Sequence, residues 1–187
     1  MSTTRQAPIA PAPDAQVCAH ADAFGILLAC HEHIGERLVI LEETGRDLAR
    51  AETLDEHHLA RLCDVLAFLD TAIPIHAADE EQTLFPRLRA HPTFRHATGS
   101  TPMDCMESEH EEHADAKAAL KAAIVKRDVT GMARRALALV TAYREHIEKE
   151  EQVLFPMARE LLADPTVVDE MTHEMRARRR AAGLLGC

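Results

Sequence analysis

Two eleven-residue stretches of the chain combine histidine and glutamate at a spacing that suits metal binding. They read HAADEEQTLFP from His76 and HIEKEEQVLFP from His146, and they share seven of eleven letters. In each, a glutamate follows the histidine by four residues, Glu80 in the first and Glu150 in the second. On an α-helix this spacing places both side chains on one face, one turn apart. An imidazole and a carboxylate so placed can bind one metal ion together, or the carboxylate can bridge two ions.

The histidine-to-acid spacing by itself carries little information, because the chain is rich in both residue types. With 12 His and 31 Asp and Glu among 187 residues, about two such pairs are expected by chance, and two are found. The information therefore lies in the flanking letters that the two words share. A purely structural repeat also accounts for the words: their Leu-Phe pairs would fill a core, their prolines would kink the helices, and Glu81 and Glu151 would be solvated.

Two further stretches supply histidines that could join the repeated words. LLACHEHIGERL carries His31 on a stripe of apolar residues, where a polar imidazole needs a partner. MESEHEEHADAKAAL carries His110 and His113 on one helical face. Imidazole suits Fe, Zn, Cu or Ni, and bridging carboxylates favour a dinuclear iron or manganese centre. Four imidazoles and two carboxylates that meet in one core would therefore hold two divalent transition ions.

Helical patterns place these histidines on long helices. Apolar residues recur at helical spacing along most of the chain, and no run of alternating residues indicates a strand. Four long helices with short connections predict an all-α, antiparallel up-down-up-down four-helix bundle with a short C-terminal helix. The first predicted helix begins at Asp14, and its apolar stripe reaches Leu48. The others run from Thr53 to Arg89, about Pro102 to Lys126, Val129 to Leu162 and about Thr166 to Arg180.

Local signals mark some of the helix ends. Thr53 with Glu56 three residues later is typical of a capping box at the start of the second helix. Pro74 is expected to kink that helix without ending it, and Gly45 to weaken the end of the first. Thr101 is expected to cap the third helix. The predicted organisation is a disordered tail over residues 1–13, the bundle over residues 14–163, and a C-terminal helix and tail over residues 164–187.

The composition argues against several classes of partner. The formal net charge is −10 and the pI about 5.6, whereas nucleic-acid binding needs a basic face. No segment reaches the roughly 20 apolar residues that span a bilayer, and the N-terminus lacks an apolar signal core. Five scattered cysteines without a CxxC pair are typical of reduced thiols. These features predict a cytoplasmic protein that binds neither nucleic acid nor membrane.

Together the four stretches resemble the haemerythrin-like, or HHE cation-binding, proteins. The resemblance covers about residues 20–160 and rests on LLxxHxxI at His31, MxxEHxxH at His110, and HxxxEExxLFP in both repeated words. It implies a haemerythrin-like four-helix bundle with two iron ions joined by an oxo or hydroxo oxygen, while manganese or zinc could bind in their place. The ligands that the resemblance implies are His31 and His76 for one iron, His110 and His146 for the other, and Glu80 and Glu150 as bridges.

The chain departs from the oxygen-carrying branch of that family at two positions. That branch has a fifth histidine on the third helix, four residues from the first, whereas the nearest match here is His113, three residues from His110. It also has an aspartate where this chain has Glu150. Both departures weigh against reversible oxygen carriage and favour bacterial haemerythrin-like proteins, including those that repair iron–sulfur centres. The repair proteins usually carry an additional N-terminal domain with a cysteine, which the printed sequence does not include.

Three functions remain open at this point. The first is a non-haem diiron protein that binds or senses O2, NO or peroxide, or serves iron and redox homeostasis, with a redox partner that the sequence does not identify. The second is a diiron enzyme that reduces peroxide or NO or repairs iron–sulfur clusters. The third is a metal-free structural bundle, for which the repeated words would be architecture only.

Overall fold

A computed structural model describes residues 21–183, which form helices and contain no strand. Two π-helical turns, Glu80–Leu84 and Glu150–Leu154, each join two α-helices without a break, so the main body is a bundle of four long helices. An additional helix follows at the C-terminal end, as predicted. None of the described helices is long and apolar enough to cross a membrane. The α-helices are α1 (Ala23–Ala51), α2 (Glu56–Asp79), α3 (Phe85–Ala90), α4 (Pro102–Val125), α5 (Val129–Lys149), α6 (Phe155–Leu161) and α7 (Pro165–Ala181).

Side-chain caps fix the starts of α1 and α2, and both starts differ from the prediction. The Asp22 carboxylate accepts a hydrogen bond from the Gly25 N–H at 2.7 Å, so α1 begins at Ala23. The predicted start at Asp14 is therefore wrong for Ala21 and Asp22, while residues 14–20, like the tails at 1–13 and 184–187, lie outside the described range. The predicted capping box at residue 53 is also wrong, because the Asp55 carboxylate caps α2 by accepting from the His58 N–H at 2.8 Å.

The other predicted local signals have mixed outcomes. Thr101 caps α4 in a full capping box with Asp104. Pro74 lies inside α2, which continues to Asp79 as predicted. Gly45 does not weaken α1, which runs on to Ala51. Gly45 is buried against α5, where a Cβ atom would lie 3.1 Å from Leu137 Cγ, so glycine allows the two helices to approach closely.

A proline follows each π-helical turn after one intervening phenylalanine, Pro86 after Phe85 and Pro156 after Phe155. The Phe85 N–H bonds to the Glu80 carbonyl and the Phe155 N–H to the Glu150 carbonyl, which are the i to i+5 bonds of a π turn. Proline donates no backbone hydrogen bond, and its ring clashes with the carbonyl four residues earlier in a regular helix. A wider turn before the proline relieves that clash and lets the helix continue.

The apolar core consists of two clusters with the predicted site residues between them along the bundle axis. One cluster contains most of α1 after its first turns, the central part of α2, the C-terminal end of α4 and much of α5, and includes Leu38, Leu69 and Leu139. The other contains the first turns of α1 with α3 and α6, and includes Leu27 and Phe155. This arrangement places the histidines and glutamates of the repeated words in a layer that is closed by apolar side chains above and below.

Helix α7 packs against the first repeated word. Arg178 and Arg179 both pair with Asp79, with 2.9 Å between Arg179 Nε and Asp79 Oδ2. Arg178 also donates to Thr83 Oγ1 at 3.2 Å, and Arg87 forms a two-bond pair with Glu174 of α7 at 2.8 and 3.0 Å. Burial raises the pKa of Asp79, against the opposing effect of the two guanidinium groups.

Candidate metal centre

The structure brings together all six residues that the sequence suggested as metal ligands. They form two groups that share both glutamates, and within each group the possible ligand atoms lie within 4.8 Å of one another. All six side chains are buried or nearly so. The first group contains His31, His76, Glu80 and Glu150, and the second contains Glu80, His110, His146 and Glu150.

The imidazoles meet in two pairs, each with its Nε2 atoms face to face. The Nε2 atoms of His31 and His76 are 3.0 Å apart, and those of His110 and His146 are 3.1 Å apart. In the first hairpin, His31 of α1 pairs with His76, which begins the first repeated word. In the second hairpin, His110 of α4 pairs with His146, which begins the second repeated word. The pairs therefore form within each hairpin and lie next to each other in the bundle.

Carboxylates outside the six residues hydrogen-bond the Nδ1 atoms of three imidazoles. His31 Nδ1 lies 2.8 Å from Glu151 Oε1, and His110 Nδ1 lies 2.7 Å from Glu81 Oε1. His146 Nδ1 lies 2.9 Å from Glu109 Oε2. The sequence-based suggestion that Glu81 and Glu151 are simply solvated is therefore wrong, because their side chains are 37% and 41% exposed but each bonds a histidine of the opposite hairpin.

These bonds determine where the protons of the second pair can be. A carboxylate accepts a hydrogen bond, so the Nδ1 atoms of His110 and His146 carry hydrogen and donate it. If both rings are neutral, both Nε2 atoms present lone pairs to each other at 3.1 Å. That contact is stable only with a positive charge between or on the rings, which a metal ion supplies and a proton supplies in its absence.

The two shared glutamates also lack conventional partners. All four of their carboxylate oxygens are buried without a hydrogen bond among the described residues. The imidazole nitrogens nevertheless approach them: Glu150 lies 3.1 Å from Nε2 of both His31 and His146, and Glu80 lies 3.3 Å from that of His110. Buried carboxylates that accept no hydrogen bond need a cation to balance their charge. The glutamate oxygens and imidazole nitrogens can bind such a cation, because they face the same small volume.

The pKa values of the two glutamates diverge because their surroundings differ. Burial, followed by the charge of Glu150, raises the pKa of Glu80 well above its usual range. Burial also acts to raise the pKa of Glu150, but the close approach of the His146 and His31 imidazoles outweighs it and holds that pKa well below its usual range. Burial lowers the pKa of His76 to about 4, so this ring is neutral and able to donate its lone pair to a metal ion at neutral pH.

A family comparison agrees with this geometry. The family model described as Hemerythrin HHE cation binding domain matches residues 22–158. The chain belongs to the haemerythrin HHE cation-binding family. A search of curated proteins and a search of solved structures each returned no match.

The two repeated words of this haemerythrin-family chain act on the opposite hairpin. In the first word, Glu80 and Glu81 contact the two nitrogens of His110, and Phe85 stacks on the same ring at 6.5 Å between centroids. In the second word, Glu150 and Glu151 contact the two nitrogens of His31, and Phe155 stacks on it at 5.4 Å. The shared letters EExxLF are thus the residues that orient a histidine across the bundle.

His113 lies beside the centre but outside both groups of possible ligands. It is buried, with its ring 5.0 Å from that of His146 and 4.5 Å from that of Tyr143. Burial, followed by the charges of His146 and His110, lowers the pKa of His113 to about 4. Its Nδ1 and the Tyr143 hydroxyl have no hydrogen-bond partner among residues 21–183. The role of His113 as a fifth ligand stays a prediction.

Proposed function

We propose that the chain is a non-haem diiron protein that binds or senses O2, NO or peroxide, or serves iron and redox homeostasis. The observation that carries this proposal is the pair of facing Nε2 couples with two buried glutamates shared between them. Each imidazole couple would hold one ion, and Glu80 and Glu150 would be shared by both ions. Imidazole with bridging carboxylate and no thiolate favours iron or manganese over a structural zinc site.

The surrounding residues support such a role because they pack around the ligand imidazoles and keep hydrogen on their Nδ1 atoms. Two neighbouring redox-active ions supply up to two electrons and a binding position for a small molecule. Phe85 and Phe155 stack on the ligand rings, and the two apolar clusters keep water from the layer. Glu81 and Glu151 hold hydrogen on Nδ1 of their imidazoles, which leaves the Nε2 lone pair directed at the centre.

The test is the metal content of the purified chain, with the optical spectrum recorded on the same aerobic sample. We expect about two irons per chain and near-ultraviolet absorption of oxygen-bridged ferric ions. Both should be lost in His76→Ala and kept in His57→Ala, because His57 is exposed and lies outside both groups. Two zinc or manganese ions would keep the site but overturn the oxygen chemistry. No bound metal after purification with iron supplied would overturn the whole proposal.

A second candidate function is an enzyme that reduces peroxide or NO. His113 Nδ1 and the Tyr143 hydroxyl favour it, because neither has a hydrogen-bond partner within residues 21–183. Buried polar groups of this kind beside a metal site can hydrogen-bond a small substrate. Steady-state consumption of peroxide or NO, compared between the unchanged chain and Tyr143→Phe, distinguishes the two. Turnover that the variant slows would support the enzyme, whereas tight binding without turnover would support the sensor.

A further inference from the structure

The two imidazole pairs differ in the hydrogen bonds that support them from outside. We call His31 with His76 the first half-site, and His110 with His146 the second half-site. In the second half-site both Nδ1 atoms bond a carboxylate, at 2.7 and 2.9 Å. In the first half-site only His31 does so, while His76 Nδ1 is buried with no partner in the range 21–183.

The sequence explains this difference. Glu109, which supports His146, is the residue directly before His110. The corresponding position of the first hairpin, directly before His31, is Cys30, whose thiol is a weaker acceptor than a carboxylate. Cys30 is buried and lies within hydrogen-bonding reach of Arg179. One glutamate-to-cysteine difference between the hairpins therefore removes an acidic support from one half-site.

The charges around the half-sites differ in the same direction. Beside the first half-site, the acids Glu151 and Asp79 are balanced by the two arginines of α7 that pair with Asp79. Beside the second, Glu81 and Glu109 face one lysine, Lys149, which lies 2.5 Å from Glu109. The surroundings of the second half-site thus carry one more negative charge, which favours a divalent cation.

We infer that the two half-sites bind metal unequally and in order: the first ion occupies His110 and His146, and the second, more weakly held ion completes the centre at His31 and His76. This inference rests on the proposed two-metal function. Removal of a carboxylate that supports a metal-binding histidine typically lowers metal affinity by about 10–100-fold. We therefore expect stepwise dissociation constants that differ by at least about tenfold.

The test is a titration of the metal-free, full-length chain with zinc, read by calorimetry and by NMR of ¹⁵N-labelled histidine. Zinc is diamagnetic, so each ring can be followed separately. The first equivalent should shift the Nε2 signals of His110 and His146, and the second those of His31 and His76. A first equivalent that shifts His31 and His76, or a single step that fills both half-sites together, would overturn the inference and leave the proposed function standing. No zinc binding would overturn the inference, and the iron content of the purified chain decides separately whether the proposed function stands.

Two matched variants assign the cause. Glu109→Gln and Glu151→Gln each replace one supporting carboxylate by a neutral amide of the same size, one at each half-site. Glu109→Gln should weaken the first step by about 10–100-fold and bring the two steps together. Glu151→Gln should leave the first step unchanged and weaken only the second. Equal effects of both variants on both steps would contradict the assignment, and circular dichroism on each metal-free variant verifies that it is folded.

Discussion

Replacement of Asp79 by asparagine tests whether α7 holds the first repeated word in place. Asp79 is fully buried, and it pairs with Arg179, which is 3% exposed, and with Arg178, which is 22% exposed. Asparagine keeps the size of the side chain but removes the charge that both guanidinium groups need. Arg179 would then be a buried cation that has lost its partner carboxylate.

The expected loss of stability follows from that burial. Removal of one partner of a buried ion pair costs about 3–5 kcal/mol. For a chain of this length each kcal/mol corresponds to roughly 2–4 °C in Tm. Asp79→Asn should therefore lower the Tm of the metal-free chain by roughly 6–20 °C.

Thermal unfolding followed by circular dichroism, with a chelator present, measures this loss. The matched control is Lys149→Asn, because Lys149 occupies the corresponding position of the second word, is 51% exposed, and pairs with Glu109 at the surface. A surface pair of this kind contributes about 0–1 kcal/mol. If Asp79→Asn and Lys149→Asn lower the Tm equally, or if Asp79→Asn lowers the free energy of unfolding by less than about 1 kcal/mol, the role assigned to α7 is refuted.

Two further predictions concern packing and pH. Gly45→Ala should destabilise the chain by about 1–3 kcal/mol, because its Cβ would lie 3.2 Å from that of Ala136. Gly35→Ala, with open space around it, should stabilise the chain by about 0.5–1 kcal/mol. Urea titration of both variants measures these changes in the free energy of unfolding, and the reverse order would contradict the helix packing described. The pKa of His113 is about 4 in the folded chain, compared with an ordinary value of 6.5. Below pH 6.5 this histidine is therefore protonated in the unfolded chain but still neutral in the folded chain. As a result, the free energy of unfolding falls as the pH drops towards 4. His113→Phe should remove part of that fall in the metal-free chain, whereas parallel pH profiles for both proteins would show that His113 does not titrate in this way.

The parts of the centre that the sequence predicted are those that helical spacing controls. The pairs His76 with Glu80 and His146 with Glu150 lie one turn apart, and regular α-helix continues up to each glutamate. His31 lies on an apolar stripe that has to face the core, so its burial also follows from the sequence. Local spacing and burial therefore account for five of the six side chains, whereas His110 was included because of the family resemblance.

The supporting carboxylates could not be predicted in this way, because they depend on contacts between distant elements. Glu81 is five residues after His76, a spacing at which an α-helix turns the two side chains to different faces. The π-helical turn, together with the neighbouring helix, allows Glu80 and Glu81 to contact opposite nitrogens of one imidazole. Hydrophobic periodicity does not distinguish a π turn from an α turn, although a proline six residues after the first of two glutamates, as in EEQTLFP, is a signal that could have indicated it.

Helix starts show the same limit on a smaller scale. Thr53 and Asp55 are both good capping residues, and only the backbone conformation decides between them. Asp55 has extended backbone next to the first helical residue and accepts the hydrogen bond. A choice between two competent caps two residues apart depends on how the chain enters the helix from the preceding turn.

The exchange of residues between the two hairpins has a consequence for the origin of the chain. Glu81 and Phe85 serve His110 of the other hairpin, and Glu151 and Phe155 serve His31 in return. A single hairpin therefore lacks the glutamate and the phenylalanine that support its own first histidine, and it cannot assemble the layer alone. Two copies of one hairpin, related by a two-fold axis, would make the same exchange with each other. Gene duplication and fusion of a dimer-forming hairpin could thus produce this fold in one step. Corresponding positions of the two hairpins, such as Cys30 and Glu109 or Asp79 and Lys149, were then free to diverge.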